Sequence, residues 1–159
     1  MPGLRVSPIL TDRVRRFDAP VDDVWERLTA VDRYQTWWPW LQRLDADRLG
    51  DGARWACTVQ PPLPYRVSFT LDLHGVVPCA SVSATVGGDI TGEARLDLRS
   101  LAPDGSTGTG SSELSLQAEL LPASAFLQRL TRFAGPVARF GHDHVIDRAL
   151  DQFADRGLA

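Results

Sequence analysis

Asp18-Ala19-Pro20-Val21-Asp22-Asp23-Val24-Trp25, followed at a short interval by Trp37-Trp38-Pro39-Trp40, is the part of the chain whose reading decides the fold. Proline is harmless in a first helical turn, where its missing N–H has no partner to lose, and the neighbouring carboxylates suit the positive end of a helix. Val21, Val24, Trp25 and Leu28 then recur at helical spacing and predict a short helix with one buried face. A second helical turn is expected over 31–35. Pro39 ends it, because the residue before a proline is driven toward extended geometry. The tetrapeptide 37–40 holds three of the five tryptophans. Each indole offers roughly 200 Å² of mostly apolar area, so this corner needs a core, a pocket or a partner.

Working outward, residues 11–17 read as a first strand ahead of the corner. Behind it the period changes to two, and segments 41–49, 53–60, 65–74, 79–86, 90–100 and 109–121 read as strands. Gly50-Asp51-Gly52, Pro61-Pro62-Leu63-Pro64, residues 75–78, Gly87-Gly88-Asp89 and Pro103-Asp104-Gly105 supply turn chemistry between them. Strands joined this tightly are antiparallel neighbours. Tyr65, Val67, Phe69, Leu71 and Leu73 share one face and Arg66, Ser68, Thr70, Asp72 and His74 the other, so one side of the sheet is wet. Residues 105–112 read as a mobile loop. A long helix is expected over 124–155, interrupted at Gly135-Pro136, with a kink at Pro136 bringing its two apolar stripes into line.

Composition narrows the function. With 159 residues and 43% hydrophobic content the chain is expected to form one domain over 1–159, its core about 11–155. No run approaches the roughly 20 apolar residues of a membrane span, and no secretion signal is apparent at the N-terminus, so a soluble cytoplasmic protein is expected. A net charge of −3 with dispersed arginines argues against a nucleic-acid surface. All seventeen cations are arginine; with no lysine, Schiff-base chemistry and lysine-dependent phosphate loops are impossible. Asparagine is absent too, which removes the orienting amides of many hydrolase sites. Cys57 and Cys79 lack metal or redox spacing and read as small buried hydrophobes in strands. The serines lack a nucleophile elbow.

One strand, two short helices, six antiparallel strands and a long C-terminal helix is an uncommon order. Together with the Ala-Pro-Val-x-x-Val-Trp opening and the Trp-Trp-Pro-Trp corner, it makes the chain resemble the START-like helix-grip superfamily (SRPBCC; polyketide cyclase/dehydrase and lipid transport proteins), over about Val14 to Phe153. Gly88-Asp89-Ile90-x-Gly92-Glu93-Ala94 adds to the likeness, as does Phe140-Gly141-His142-Asp143-His144-Val145. The latter is similar to a Trp-Asn-His-Asp-Trp-Val-Met stretch of a bacterial branch, matched as it stands only at His142, Asp143 and Val145. The resemblance implies an α+β helix-grip fold. In it a curved seven-stranded antiparallel sheet wraps a long kinked C-terminal helix, two short helices follow the first strand, and a cavity opens between sheet and helix. It implies a carrier or sensor of a hydrophobic small molecule or lipid, or an aromatase/cyclase-type enzyme; a protein-interaction module is a third possibility. No cofactor is implied, and a monomer and a homodimer are both compatible.

Candidate ligand-contacting residues are Trp40, Trp55, Phe69 and Leu71 around the corner and early strands, and Val137, Gly141, His142 and Val145 on the last helix. For the aromatics, core packing without a ligand is the competing reading. Ala80, Val82, Ala84, Gly92, Ala94 and Ala118 form a small-residue row that either leaves room for a ligand or admits a closely packed helix. His142, within an apolar stripe, is either satisfied structurally or poised for proton transfer, and is the single catalytic candidate. His142 and His144 project about 200° apart on a helix and are not expected to share a metal. Glu93 and Glu113 are expected on the solvated face, although strand parity at Glu113 is ambiguous.

Overall fold

The computed structural model describes residues 8–101 and 110–158, apart from the side chain of Val137. The expected turn at Pro103-Asp104-Gly105 and most of the 105–112 loop lie outside the described residues. Strand β1 (Ile9–Phe17) leads into α1 (Val21–Thr29), a 3₁₀ turn (Val31–Arg33) and the one-turn α2 (Tyr34–Trp37). Strands β2 (Leu41–Asp45), β3 (Arg54–Val59), β4 (Val67–Val77), β5 (Ser81–Gly88), β6 (Ile90–Ser100) and β7 (Ser112–Pro122) follow, then α3 (Ala125–Gln152) and a closing π turn (Phe153–Gly157).

The seven strands form one antiparallel sheet in the order β1-β7-β6-β5-β4-β3-β2, a meander to which β1 is added at the β7 edge. The alternation of β4 is as its sequence reads: Phe69, Leu71 and Leu73 pack against the core on the concave face, whereas Ser68, Asp72 and His74 are exposed on the other. Pro20 precedes α1 rather than opening it. Its carbonyl accepts from the Asp23 and Val24 N–H groups, and Asp22 and Asp23 occupy the first turn.

Strand β1 alternates regularly, but its polar residues face inward and two of its apolar ones outward. Leu10 and Val14 are 60% and 58% exposed on the convex side, while Thr11, Arg13, Arg15 and Phe17 face α3. An acidic row on α3 explains the inversion. Asp143, Asp147 and Asp151 recur every four residues and so share one helix face; Arg13 meets Asp147 at 3.0 Å and Asp143 at 3.5 Å, and Arg15 meets Asp151 at 2.6 Å. These half-exposed pairs add little stability, but they set which face of β1 the helix covers.

Helix α3 breaks two residues before the expected point. Ala134 leaves helical geometry (φ −143°, ψ 47°), because Pro136 has no N–H to donate and its ring crowds the carbonyl four residues back. Ser124 caps the N-terminus through its hydroxyl, which accepts from the Leu127 N–H.

Three further expectations are corrected. Cys79 is not in a strand; it occupies a turn with φ +62°, its thiol 3.4 Å from Asp22, whereas Cys57 is buried in β3 with its pKa pushed up to about 12 by burial. Glu113 is on the convex face but not solvated: it is buried between Arg16 and Arg99 on the flanking strands. Arg99, and Arg16 with it, hold its carboxyl below the usual range. Gly92 serves the sheet rather than the cavity: its φ is +151°, and a Cβ there would lie 1.9 Å from the Glu119 carbonyl oxygen on β7. Gly92→Ala is therefore expected to lower unfolding free energy by about 2–3 kcal/mol through strain and strand displacement, measured by chemical denaturation.

Candidate functional site

The site starts from the tryptophan corner. Trp37 is buried against Tyr34 and Phe153, with ring centroids 5.7 Å away in each case. Trp38 and Trp40 stack at 5.7 Å and use their indole N–H groups on the far end of α3: Trp38 donates to the Ala149 carbonyl at 3.0 Å and Trp40 to the Gln152 side-chain oxygen at 2.8 Å. Phe17 and Phe153 close the same end edge to face at 5.5 Å. The last turns of α3 are thus fixed to the corner, and the rest of the helix runs out over the concave sheet.

Two adjacent chambers of about 270 Å³ each lie in the space between. Trp40, Val59, Phe69, Leu71, Ala94 and Leu116 border both and mark where they meet. The inner chamber reaches Trp38, Trp55 and Cys57 under the corner. The outer one continues beneath α3, past Gly141, His142 and Val145, to a rim where Leu121 is 41% exposed. Of the residues nominated from sequence, Trp40, Phe69 and Leu71 border both chambers, Trp55 only the inner, and Gly141, His142 and Val145 only the outer. The side chain of Val137 lies outside the described residues. Within the small-residue row Val82, Ala84, Ala94 and Ala118 border the space, whereas Ala80 and Gly92 do not.

Gly141 has a second role that its sequence context did not reveal. A Cβ there would sit 2.8 Å from the Tyr65 hydroxyl and 3.1 Å from a Leu63 methyl, so glycine lets the proline-rich β3–β4 connection lie directly on α3. Tyr65 in turn packs at a tilt against Phe126, ring centroids 5.7 Å apart, and lines the outer chamber.

The polar groups of the cavity are unequally distributed. In the inner chamber the indole and phenol donors are already satisfied: Trp55 donates to the Arg48 carbonyl at 2.8 Å, Tyr34 to the Leu28 carbonyl, and Trp38 and Trp40 to α3. Arg95, the one charged residue bordering it, keeps its guanidinium on Asp97 at 2.9 Å. The outer chamber contains Thr11, Tyr65, Thr131 and His142. Thr131 donates to the Leu127 carbonyl within its helix, and the Tyr65 hydroxyl makes no hydrogen bond among the described residues.

His142 is held at both nitrogens. Its Nδ1 is 3.2 Å from Asp143 Oδ1 and its Nε2 is 2.8 Å from the Thr11 hydroxyl. A carboxylate only accepts, so in the neutral ring Nδ1–H donates to Asp143 and Nε2 accepts from Thr11. Burial pushes the imidazole pKa down, with Asp143 acting in the opposite direction. Thr11, 131 residues away in sequence, had no local signal to mark it as the partner. His144 instead stacks against Phe140 at 5.9 Å, and among the described residues no three ligating side chains converge on a metal position. No helix among them is long and apolar enough to cross a membrane.

Neither a protein-family model nor a curated protein sequence matches the chain. Solved bacterial structures do match in shape. An aromatase/cyclase, Zhui, from a Streptomyces strain has TM-score 0.67 at 16% identity, with 94% of this chain and 90% of that one covered. A START superfamily protein of Mycobacterium smegmatis has TM-score 0.67 at 11% identity, covering 92% and 95%. A conserved protein of Geobacillus kaustophilus has TM-score 0.63 at 13% identity, covering 92% and 95%. At these identities the likeness is one of fold: the chain has the START-like helix-grip fold.

The depressed pKa of His142 has a pH consequence. On acidification below the ordinary histidine value of about 6.5, the unfolded ring takes up a proton that the folded one resists, so stability falls with pH. Denaturation curves are expected to show wild type losing stability relative to His142→Gln as pH drops through this range, with the difference between them independent of pH above it.

Proposed function

We propose that the protein binds a neutral hydrophobic small molecule or lipid in the cavity between sheet and α3, as a carrier or sensor, with Trp40, Trp55, Phe69, Leu71, Gly141, His142 and Val145 among its contacts and Val137 as a further candidate. The observation that carries this reading is the two-chambered apolar space with its one-sided polarity. Apolar space that side chains leave unfilled forfeits packing contacts on its walls, so an apolar ligand that fills it gains those contacts.

The charge of the lining selects the ligand. Among the described residues no guanidinium is free to meet a carboxylate inside, and the partly buried His142 favours its neutral form. A fatty-acid anion would be desolvated without a counter-charge. The fit is to a molecule with an extended apolar body for the inner chamber and one hydroxyl or carbonyl near Tyr65, Thr11 and His142. The folds of a START superfamily protein and an aromatase/cyclase are compatible with ligand binding of this kind.

One feature favours a second reading, an enzyme of the aromatase/cyclase type. His142 on the cavity wall, with Asp143 orienting Nδ1 and Thr11 at Nε2, is placed for proton transfer to or from a bound polyketone. In that case His142→Ala abolishes turnover of a polyketide substrate in a folded protein; undiminished turnover removes His142 from the chemistry.

Thermal-shift titration separates ligand classes. Neutral isoprenoid alcohols or polycyclic ketones are expected to raise Tm in a saturable way, and fatty-acid anions to do so far less. Ala94→Leu, which fills the junction of the chambers, should abolish the shift. Tyr65→Phe should weaken an oxygen-bearing ligand by about five- to tenfold, the value of one net hydrogen bond, and leave a pure hydrocarbon unaffected. If no neutral apolar compound moves the melt, the cavity is not a binding site for this class.

A further inference from the structure

Half of the phenylalanines of the chain stand on the outside of α3. Phe126, Phe133 and Phe140 are 55%, 80% and 56% exposed. They recur every seven residues, nearly two helical turns, so that Phe126 and Phe133 share a face and Phe140 follows beyond the break at Ala134. Isolated exposed apolar side chains are ordinary, but a row of aromatics on one element is not. The same stretch separates charge. Between Glu119 and Asp143 there is no acidic residue, while Arg129, Arg132 and Arg139 all fall within it, in a chain whose net charge is −3. All three arginines are exposed, and none forms an ion pair among the described residues, where eight arginine–carboxylate pairs occur elsewhere.

We infer that this face of α3 docks on an anionic lipid bilayer, with the phenylalanines entering the interface and the arginines meeting lipid phosphates. An interfacial helix needs aromatic or aliphatic side chains on one side and basic ones beside them, without acidic neighbours that the surface potential would repel. The segment meets these requirements, whereas the C-terminal half of α3, with Asp143, Asp147 and Asp151, is committed to β1. Position supports the assignment. Phe126 packs at a tilt against Tyr65, which lines the outer chamber, and the exposed Leu121 lies on its rim. A bilayer at this face would therefore touch the cavity entrance.

The test is sedimentation with vesicles of phosphatidylcholine alone and of equal parts phosphatidylcholine and phosphatidylglycerol, at low and high salt. Binding is expected only to the anionic vesicles and should fade with salt. Arg129→Gln and Arg132→Gln should each lower the partition coefficient about fivefold, the factor corresponding to about 1 kcal/mol per arginine, and Phe133→Ser about tenfold or more. All three positions are exposed, so an unchanged Tm confirms folding. Phe133→Trp should show a blue-shifted emission on the anionic vesicles. Equal binding to both vesicles, no binding at low salt, or full binding by Phe133→Ser overturns the proposal. So does a dimer in light scattering that Phe133→Ser converts to monomer, which would assign the face to a second copy of the chain. Ala94→Leu should bind vesicles normally, so failure of the cavity reading and failure of this one are distinguishable.

Discussion

The structure depends on how the last turns of α3 are held. Two indole N–H groups from one tetrapeptide, Trp38 and Trp40, take a backbone carbonyl and a buried amide at the end of the helix, and Phe153 fits between Phe17 and Trp37. Buried hydrogen bonds of this kind fix position more than they add net stability, because a donor left unmatched is expensive. Once that end is fixed, the sheet can curve away from the rest of the helix. The cavity is the volume that this mismatch leaves.

A second set of contacts sets the helix laterally. The ladder of Asp143, Asp147 and Asp151 draws Arg13 and Arg15 of β1 to the concave side, and Asp143 also orients His142. One carboxylate thereby serves the seating of the edge strand and the tautomer of the only histidine in the cavity. Stability and site polarity are coupled at that residue, so a substitution of Asp143 acts on both. At the other end, Gly141 and the break at Ala134 let the β3–β4 connection and the first half of α3 approach each other over the outer chamber.

Much of the site was readable from residue pattern. The row of Phe69 and Leu71 faces the cavity because a strand alternates, and Trp40 borders both chambers because Pro39 turns the chain there. What escaped was whatever needed a partner distant in sequence. Thr11 became a site residue only through His142. Arg13 and Arg15 face α3 because the acidic ladder supplies their counter-charges. Gly92 looked like a small residue leaving space, but its backbone conformation and the nearby Glu119 carbonyl account for it. Glu113 was ambiguous in parity, and its burial between two guanidinium groups depends on the register of β1, β7 and β6.

Element order, the antiparallel meander, the helical stripes and the exclusion of lysine chemistry are legible in the sequence, because periodicity, turn residues and composition are local properties. Tertiary structure alone decided that the mismatch between sheet and helix leaves two adjacent apolar chambers, that the inner one has its indole and phenol donors satisfied while the outer one keeps a tyrosine hydroxyl and a histidine, and that three phenylalanines remain outside. Those features depend on distances between segments more than a hundred residues apart, such as Thr11 with His142 and Trp38 with Ala149. No local pattern encodes such distances; they follow from how the elements pack.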